Sequence, residues 1–208
     1  MTPNLVSSAG VVPVLALAHA AGLRTLMDER LTVATDKGAN AGPKVASLVG
    51  GMVAGADSID DMVVSRHGGM DTVFSSTYAP STPGSVLRAF TFGHVRQLDT
   101  IAARFLLALA ARTRLLGPVA AQATASTSGT TSTSSTTSNA TGGYATGEPA
   151  LAKSTTATIR RTLITVPARV ASSARRITLH LPHHWPWEDA WTQLFTLVCG
   201  PPATTART

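Results

Sequence analysis

Residues 43–56 read PKVASLVGGMVAGA, and their spacing decides the fold class. Val45, Leu48, Val49, Met52, Val53 and Ala56 fall at i, i+3, i+4, i+7, i+8 and i+11. That spacing makes one continuous face of an α-helix and does not fit the two-residue alternation of a strand. Pro43 suits the first helical turn, where its missing N–H would have had no partner and its fixed φ is already helical.

Reading outward from this helix finds more of the same. On the N-terminal side, residues 14–21 form an Ala/Leu run opening just after Pro13, and Leu23, Leu26, Met27 and Leu31 repeat at helical spacing. Gly22 between them predicts a break. On the C-terminal side, Ser58 and Asp61 stand three apart, a variant of the capping box. Ile59, Met62 and Val63 supply the apolar side of the short helix they open, and Gly68-Gly69 ends it. Thr82-Pro83 is a further start signal. From it Leu87, Phe90, His94, Leu98, Ile101, Phe105 and Leu109 step by three or four, which predicts one long helix stopped by Gly117-Pro118. Several helices with short connections predict a helical domain over residues 1–118.

The material then changes. Of the eighteen residues 124–141, fourteen are Ser or Thr, with no apolar period. Such a stretch buries too little surface to offset its ordering entropy, so residues 119–150 are expected to be a disordered Ser/Thr-rich linker. Residues 151–208 are short and basic. Residues 158–166 and 177–181 are β-prone and are expected to pair as strands. Trp187, Trp191, Leu194, Phe195 and Val198 repeat at helical spacing between Pro186 and Gly200-Pro201-Pro202. One helix and two strands make a marginal domain alone, so this segment is expected to pack on something larger. The fold class expected is mainly α: an N-terminal helical domain, a disordered linker and a short α+β C-terminal remnant.

Hydrophobic residues make up 44% of the 208, enough for a core, while charged residues are only 13%. The formal net charge is +6, and it is uneven. Residues 1–118 carry ten Lys/Arg against eight Asp/Glu, and residues 151–208 carry seven against two. A basic excess favours polyanionic partners. The single cysteine, Cys199, excludes an internal disulfide. The longest apolar stretch, residues 11–22, is too short to span a bilayer and contains His19. It imitates a signal-peptide core, but no Lys or Arg precedes Arg24. A cytoplasmic chain without a membrane partner is therefore expected.

The order of words along the chain adds a resemblance. Residues 36–42 (DKGANAG), 44–49 (KVASLV) and 52–61 (MVAGADSIDD), then 79–82 (APST) and 88–99 (RAFTFGHVRQLD), resemble the N-terminal region of DDE-type insertion-sequence transposases of high-GC bacteria. Residues 155–161 (TTATIRR), 166–169 (VPAR), 175–182 (RRITLHLP) and Trp185-Pro186-Trp187 resemble the end of the same family. The resemblance implies a ribonuclease-H-like core between these ends, where three carboxylates hold two divalent metal ions such as Mg for strand cleavage. Here the Ser/Thr tract stands in that interval, and Glu148 is the only acid between Pro118 and Leu151. The expectation is a truncated transposase-like protein that binds DNA, the terminal inverted repeats of its element, without cutting it. No catalytic residue, metal or cofactor is carried over. A full-length transposase is the expected protein partner, with inhibition of transposition or mere gene decay as the consequence.

The DNA-binding candidates are Lys44, Arg88, Arg96, Arg160, Arg161, Arg175 and Arg176. Arg88, Arg96, Arg104 and Arg112 recur every eight residues, and each step turns about 80° around a helix, so they spiral. A solvated face and phosphate contact both fit them. The pairs Arg160-Arg161 and Arg175-Arg176 suit phosphate contact or charged strand edges equally. Asp57, Asp60 and Asp61 read as helix-start acids. His180, His183 and His184 lack the further ligands zinc requires. Trp185, Trp187 and Trp191 read as core anchors of the last helix. The alternative function is a secreted or surface protein with an O-glycosylated tract, in which Asn139-Ala140-Thr141 would be a glycosylation acceptor. On the decay reading, Trp191 and Phe195 are expected to lie exposed.

Overall fold

The computed structural model describes residues 4–33, 40–73, 78–113, 151, 154–173 and 176–200. The expected linker, residues 119–150, lies outside them. The described chain is mostly helical with one small antiparallel sheet. Among the described residues no single helix is long and apolar enough to cross a membrane.

Helix α1 (Val11–Ala20) and helix α2 (Leu23–Arg30) are separated where the sequence predicts, at Gly22 with φ 85°. Gly22 N donates to the His19 carbonyl at 2.9 Å, closing α1 in the left-handed conformation that glycine adopts at little cost. Helix α3 (Ala41–Ala54) begins two residues before Pro43. Its own N-cap, Asn40, makes no side-chain cap hydrogen bond. The cap comes from α2: Asp28 Oδ1 accepts from Gly42 N at 2.7 Å, placing a carboxylate at the positive end of α3. Packing of α1, α2, α3 and the later helix α6 then buries Leu23, Met27, Leu31, Val45 and Ile101 in one cluster.

A 3₁₀ turn (Asp60–Arg66) follows. Ser58 and Asp61 close its start reciprocally: Ser58 N and Ser58 Oγ donate to Asp61 Oδ2 at 3.0 and 2.7 Å, and Asp61 N donates to Ser58 Oγ at 3.3 Å. The Ser58 hydroxyl holds the Asp61 carboxyl below the usual aspartate range. After helix α4 (Met70–Val73), the expected long helix is two, α5 (Ser81–Arg88) and α6 (Phe92–Thr113). The break has a local cause. Thr91 N donates to His94 Nδ1 at 2.8 Å, and Thr91 Oγ1 lies 3.0 Å from the same nitrogen, so this pair starts a new helix within the apolar repeat. The turn also anchors α6 to the end of α2. His94 Nε2 lies 2.9 Å from the Thr32 carbonyl, while Gln97 accepts from Thr32 N at 3.1 Å and donates to Thr32 Oγ1 at 3.0 Å.

The C-terminal segment departs most from its sequence reading. Residues 158–166 are expected as a strand but are helical: α7 (Thr156–Ile159) runs into a single π turn (Arg160–Ile164). Thr155 Oγ1 accepts from Thr158 N at 3.2 Å as N-cap, and Thr162 Oγ1 donates to the Thr158 carbonyl at 2.8 Å. These threonines satisfy helical backbone and override their β propensity. The first C-terminal strand is instead β2 (Ala168–Ser173), paired with β3 (Arg176–His180) through Val170↔Leu179 and Ser173↔Arg176.

The third strand comes from the other end of the chain. Strand β1 (Leu5–Val6) pairs antiparallel with β2, with Leu5 opposite Arg169 and Val6 opposite Ala168. The pairing extends beyond the strand, since Val170 N donates to the Asn4 carbonyl, Ala9 N to Val166 and Gly10 N to Ile164. Gly10 sits so close to the Leu163–Ile164 backbone that a Cβ there would lie 2.6 Å from Ile164 Cα. Val6, Ala9 and Met70 therefore share a cluster with Ala168 and Val170. The last helix, α8 (Glu188–Cys199), packs on α1 and buries Trp191 with Leu151, Leu163 and Val166. Trp191 is only 4% exposed and Phe195 is half-buried and stacked on it, so the expected exposure of these two side chains is not found. The cluster they join is made by residues of the C-terminal segment itself, among them Leu151, Leu163 and Val166.

Candidate nucleic-acid interface

Helix α6 is the longest described helix, 22 residues. Its inner face is the one the apolar repeat predicts: Ile101 is fully buried, and Leu98 and Phe105 pack beside it against α2 and α3. Its remaining circumference is open. Arg96, Arg104 and Arg112 are all exposed, as is Arg88 at the end of α5. Steps of eight residues advance about 12 Å along the axis and about 80° around it, so the three arginines of α6 wind across the outer surface. Between them lie Phe92, 76% exposed, and the exposed Val95, Leu106 and Leu107. Arg96 holds its guanidinium 6.0 Å from the Phe92 ring centroid, which limits its rotamers without neutralising it. Among the described residues none of these four arginines lies within ion-pairing reach of a carboxylate.

The two arginines of the π turn have different fates. Arg160 reaches α3, where its Nη2 donates to the Met52 carbonyl at 3.1 Å. A cation at the negative end of α3 is stabilising, and the bond adds a charged donor to a carbonyl that also accepts from Gly55 N at 3.2 Å. Arg160 is thus half-buried, with one of its guanidinium nitrogens engaged at the end of α3. Arg161, next in sequence, is exposed. It lines a groove of about 410 Å³ whose other walls include Thr165, Trp185 and Trp187. Trp185 and Trp187 are half-buried: each braces the α8 core on one side and lines the groove on the other. The sequence reading treats them as core anchors alone, which holds fully only for Trp191. The indole N–H groups of Trp185 and Trp191 are buried without an acceptor among the described residues.

Of the other candidates, Lys44 lies half-buried on α3 and takes part in an interaction there. Arg176 opens β3, and Arg175 lies outside the described residues. The structure therefore brings Arg88 and Arg96 onto the α5–α6 surface, sets Arg161 in a separate groove and bonds Arg160 to the end of α3. Sequence spacing shows Arg104 and Arg112 but not that they lie clear of every carboxylate among the described residues, because that depends on where the acids fold. Asp57, Asp60 and Asp61 cluster at the 3₁₀ turn, with Asp61 held by Ser58. Among the described residues no three His, Cys, Asp or Glu side chains converge as a metal site would require. Among the histidines, His183 Nδ1 lies 3.9 Å from Glu188 Oε1, and His184 N donates to Glu188 Oε2 at 2.8 Å, so this acid orders the entry to α8.

Comparison with protein-family models, with curated proteins and with solved structures gives no match to this chain.

Proposed function

We propose that this chain is a DNA-binding derivative of an insertion-sequence transposase that holds the ends of its element without cutting them. The observation that carries the proposal is the set of exposed arginines on α5 and α6, Arg88, Arg96, Arg104 and Arg112, none within reach of a carboxylate among the described residues. Unpaired guanidinium groups on a helical surface are what phosphate binding requires, because each phosphate neutralised releases condensed counterions. The transposase origin rests on the ordered resemblance of residues 36–61, 79–99 and 155–187 to that family. Residues 88–99, the most specific of these words, open the basic surface itself. The absence of cleavage rests on the Ser/Thr tract that stands where such a family carries its three metal-binding carboxylates.

A fragment of this kind acts by occupation: bound to terminal repeats, it excludes a full-length transposase. The test compares the full chain on terminal-repeat duplex of a related element with a scrambled duplex of equal length. Preference for the repeat supports the reading, and a fall in transposition frequency on co-expression supports the inhibitory role. Equal affinity for both duplexes together with an unchanged transposition frequency removes the proposal.

A further inference from the structure

We propose that the groove beside the π turn is a nucleotide-binding site, in which a base lies against Trp185 and Trp187 and its phosphate meets Arg161. The choice of a nucleotide over other aromatic anions rests on the DNA-binding reading above, and the site is separate from the α5–α6 surface. A π turn is rare, occurs mostly as a single turn, and recurs at functional sites. Here it occupies Arg160–Ile164, and its first two residues are both arginines. Arg160 is fixed on the Met52 carbonyl, and Arg161 is left exposed at the groove.

The chemistry of the groove is one-sided. Among the described residues Arg161 is the only ionised side chain on its walls, and no carboxylate lines it to repel an anion or neutralise the guanidinium. Thr165 is exposed on the same wall and adds a hydroxyl able to donate to an anion's oxygens. The apolar part of the wall is aromatic, formed by two half-buried indoles. Base–aromatic stacking contributes roughly 1–3 kcal/mol per base and tolerates any base, since each has a π face. Pro167, Pro182 and Pro186 make the surrounding loops stiff, so little ordering accompanies binding. A volume of about 410 Å³ lies within the usual range for small-ligand sites. An anion joined to a planar ring satisfies all of these features. Inorganic phosphate leaves the indoles unused, and an uncharged base leaves Arg161 unused.

The nucleotide has two sources, a free mononucleotide or an unpaired nucleotide in a DNA strand. Isothermal titration of the full chain with thymidine monophosphate, inorganic phosphate, thymidine and a short oligothymidylate distinguishes them. The monophosphate or the oligonucleotide is expected to bind, with phosphate and thymidine weaker by roughly tenfold or more. Arg161→Gln should weaken that binding by roughly tenfold while leaving the thermal midpoint in place. Binding of the monophosphate identifies a free-nucleotide site, and binding of the oligonucleotide alone identifies a strand site. Failure of both, or binding that Arg161→Gln leaves unchanged, overturns the proposal. Duplex binding measured in parallel separates the two readings: if it persists while nucleotides fail, only the groove assignment falls.

Discussion

Arg160 Nη2 donates to the Met52 carbonyl across 3.1 Å, joining residues 108 positions apart in the chain. The bond ties the C-terminal end of α3 to the π turn. With the β1–β2 pairing and the packing of α8 on α1, it makes the two ends of the chain parts of one fold.

Arg160→Met keeps the aliphatic stem and removes the donor. It is expected to destabilise the fold by roughly 1 kcal/mol, the net worth of a partly exposed charge-assisted hydrogen bond at a helix end. Urea unfolding measures that loss.

Gly10 tests the seam between the two ends directly. A methyl group there meets the Leu163–Ile164 backbone, which cannot rotate aside as a side chain would. Gly10→Ala should cost about 1–3 kcal/mol, as overpacking does. The loss should appear as one cooperative lowering of the thermal midpoint, followed by both near-ultraviolet tryptophan signal and far-ultraviolet helix signal.

A protease site inserted between residues 118 and 151 offers a second test of the seam. After cleavage the two fragments should elute together from gel filtration, held by β1–β2 pairing and by α8 on α1. Trp191→Ala should weaken their association by loosening the core beneath α8, because truncating a buried tryptophan costs about 3–5 kcal/mol.

Asp61 sets a pH dependence. Its carboxyl is held below the usual value of 3.8 in the folded chain, chiefly by the Ser58 hydroxyl. In that window the unfolded state binds more protons, so stability rises with pH. The contribution is complete above the unfolded value and is lost as pH falls through the lower folded value. Ser58→Ala should flatten this acid limb of the stability profile, measured by thermal melts across the acidic range.

What is legible in the sequence, and what is not, follows from the range of the interactions. The α3 face, the Gly22 break, the Ser58–Asp61 cap and the Trp191–Phe195 face of α8 are set within a few residues, and each is readable from spacing. The break before α6 is also local, but it depends on His94 bonding back to Thr91, while the apolar steps run on through it. The π turn is concealed by β-branched residues, Thr158, Ile159, Thr162 and Ile164, whose propensity points to a strand. Strand β2 is concealed because Val170 is its only β-branched residue, and its pairing with Leu5 and Val6 is a non-local interaction that no period records. The same range limit applies to the candidate site. Arg160 and Arg161 look equivalent in sequence, and only the distant Met52 carbonyl separates them.

The most direct test of the DNA-binding claim is the salt slope of duplex affinity for the full chain against a variant carrying Arg88→Gln, Arg96→Gln and Arg104→Gln. The logarithm of the wild-type binding constant is expected to fall linearly with the logarithm of salt concentration. The variant's slope should be shallower by roughly two to three, close to one unit for each phosphate no longer neutralised. An identical slope in the variant, or no duplex binding by the wild-type chain at low salt, would contradict it.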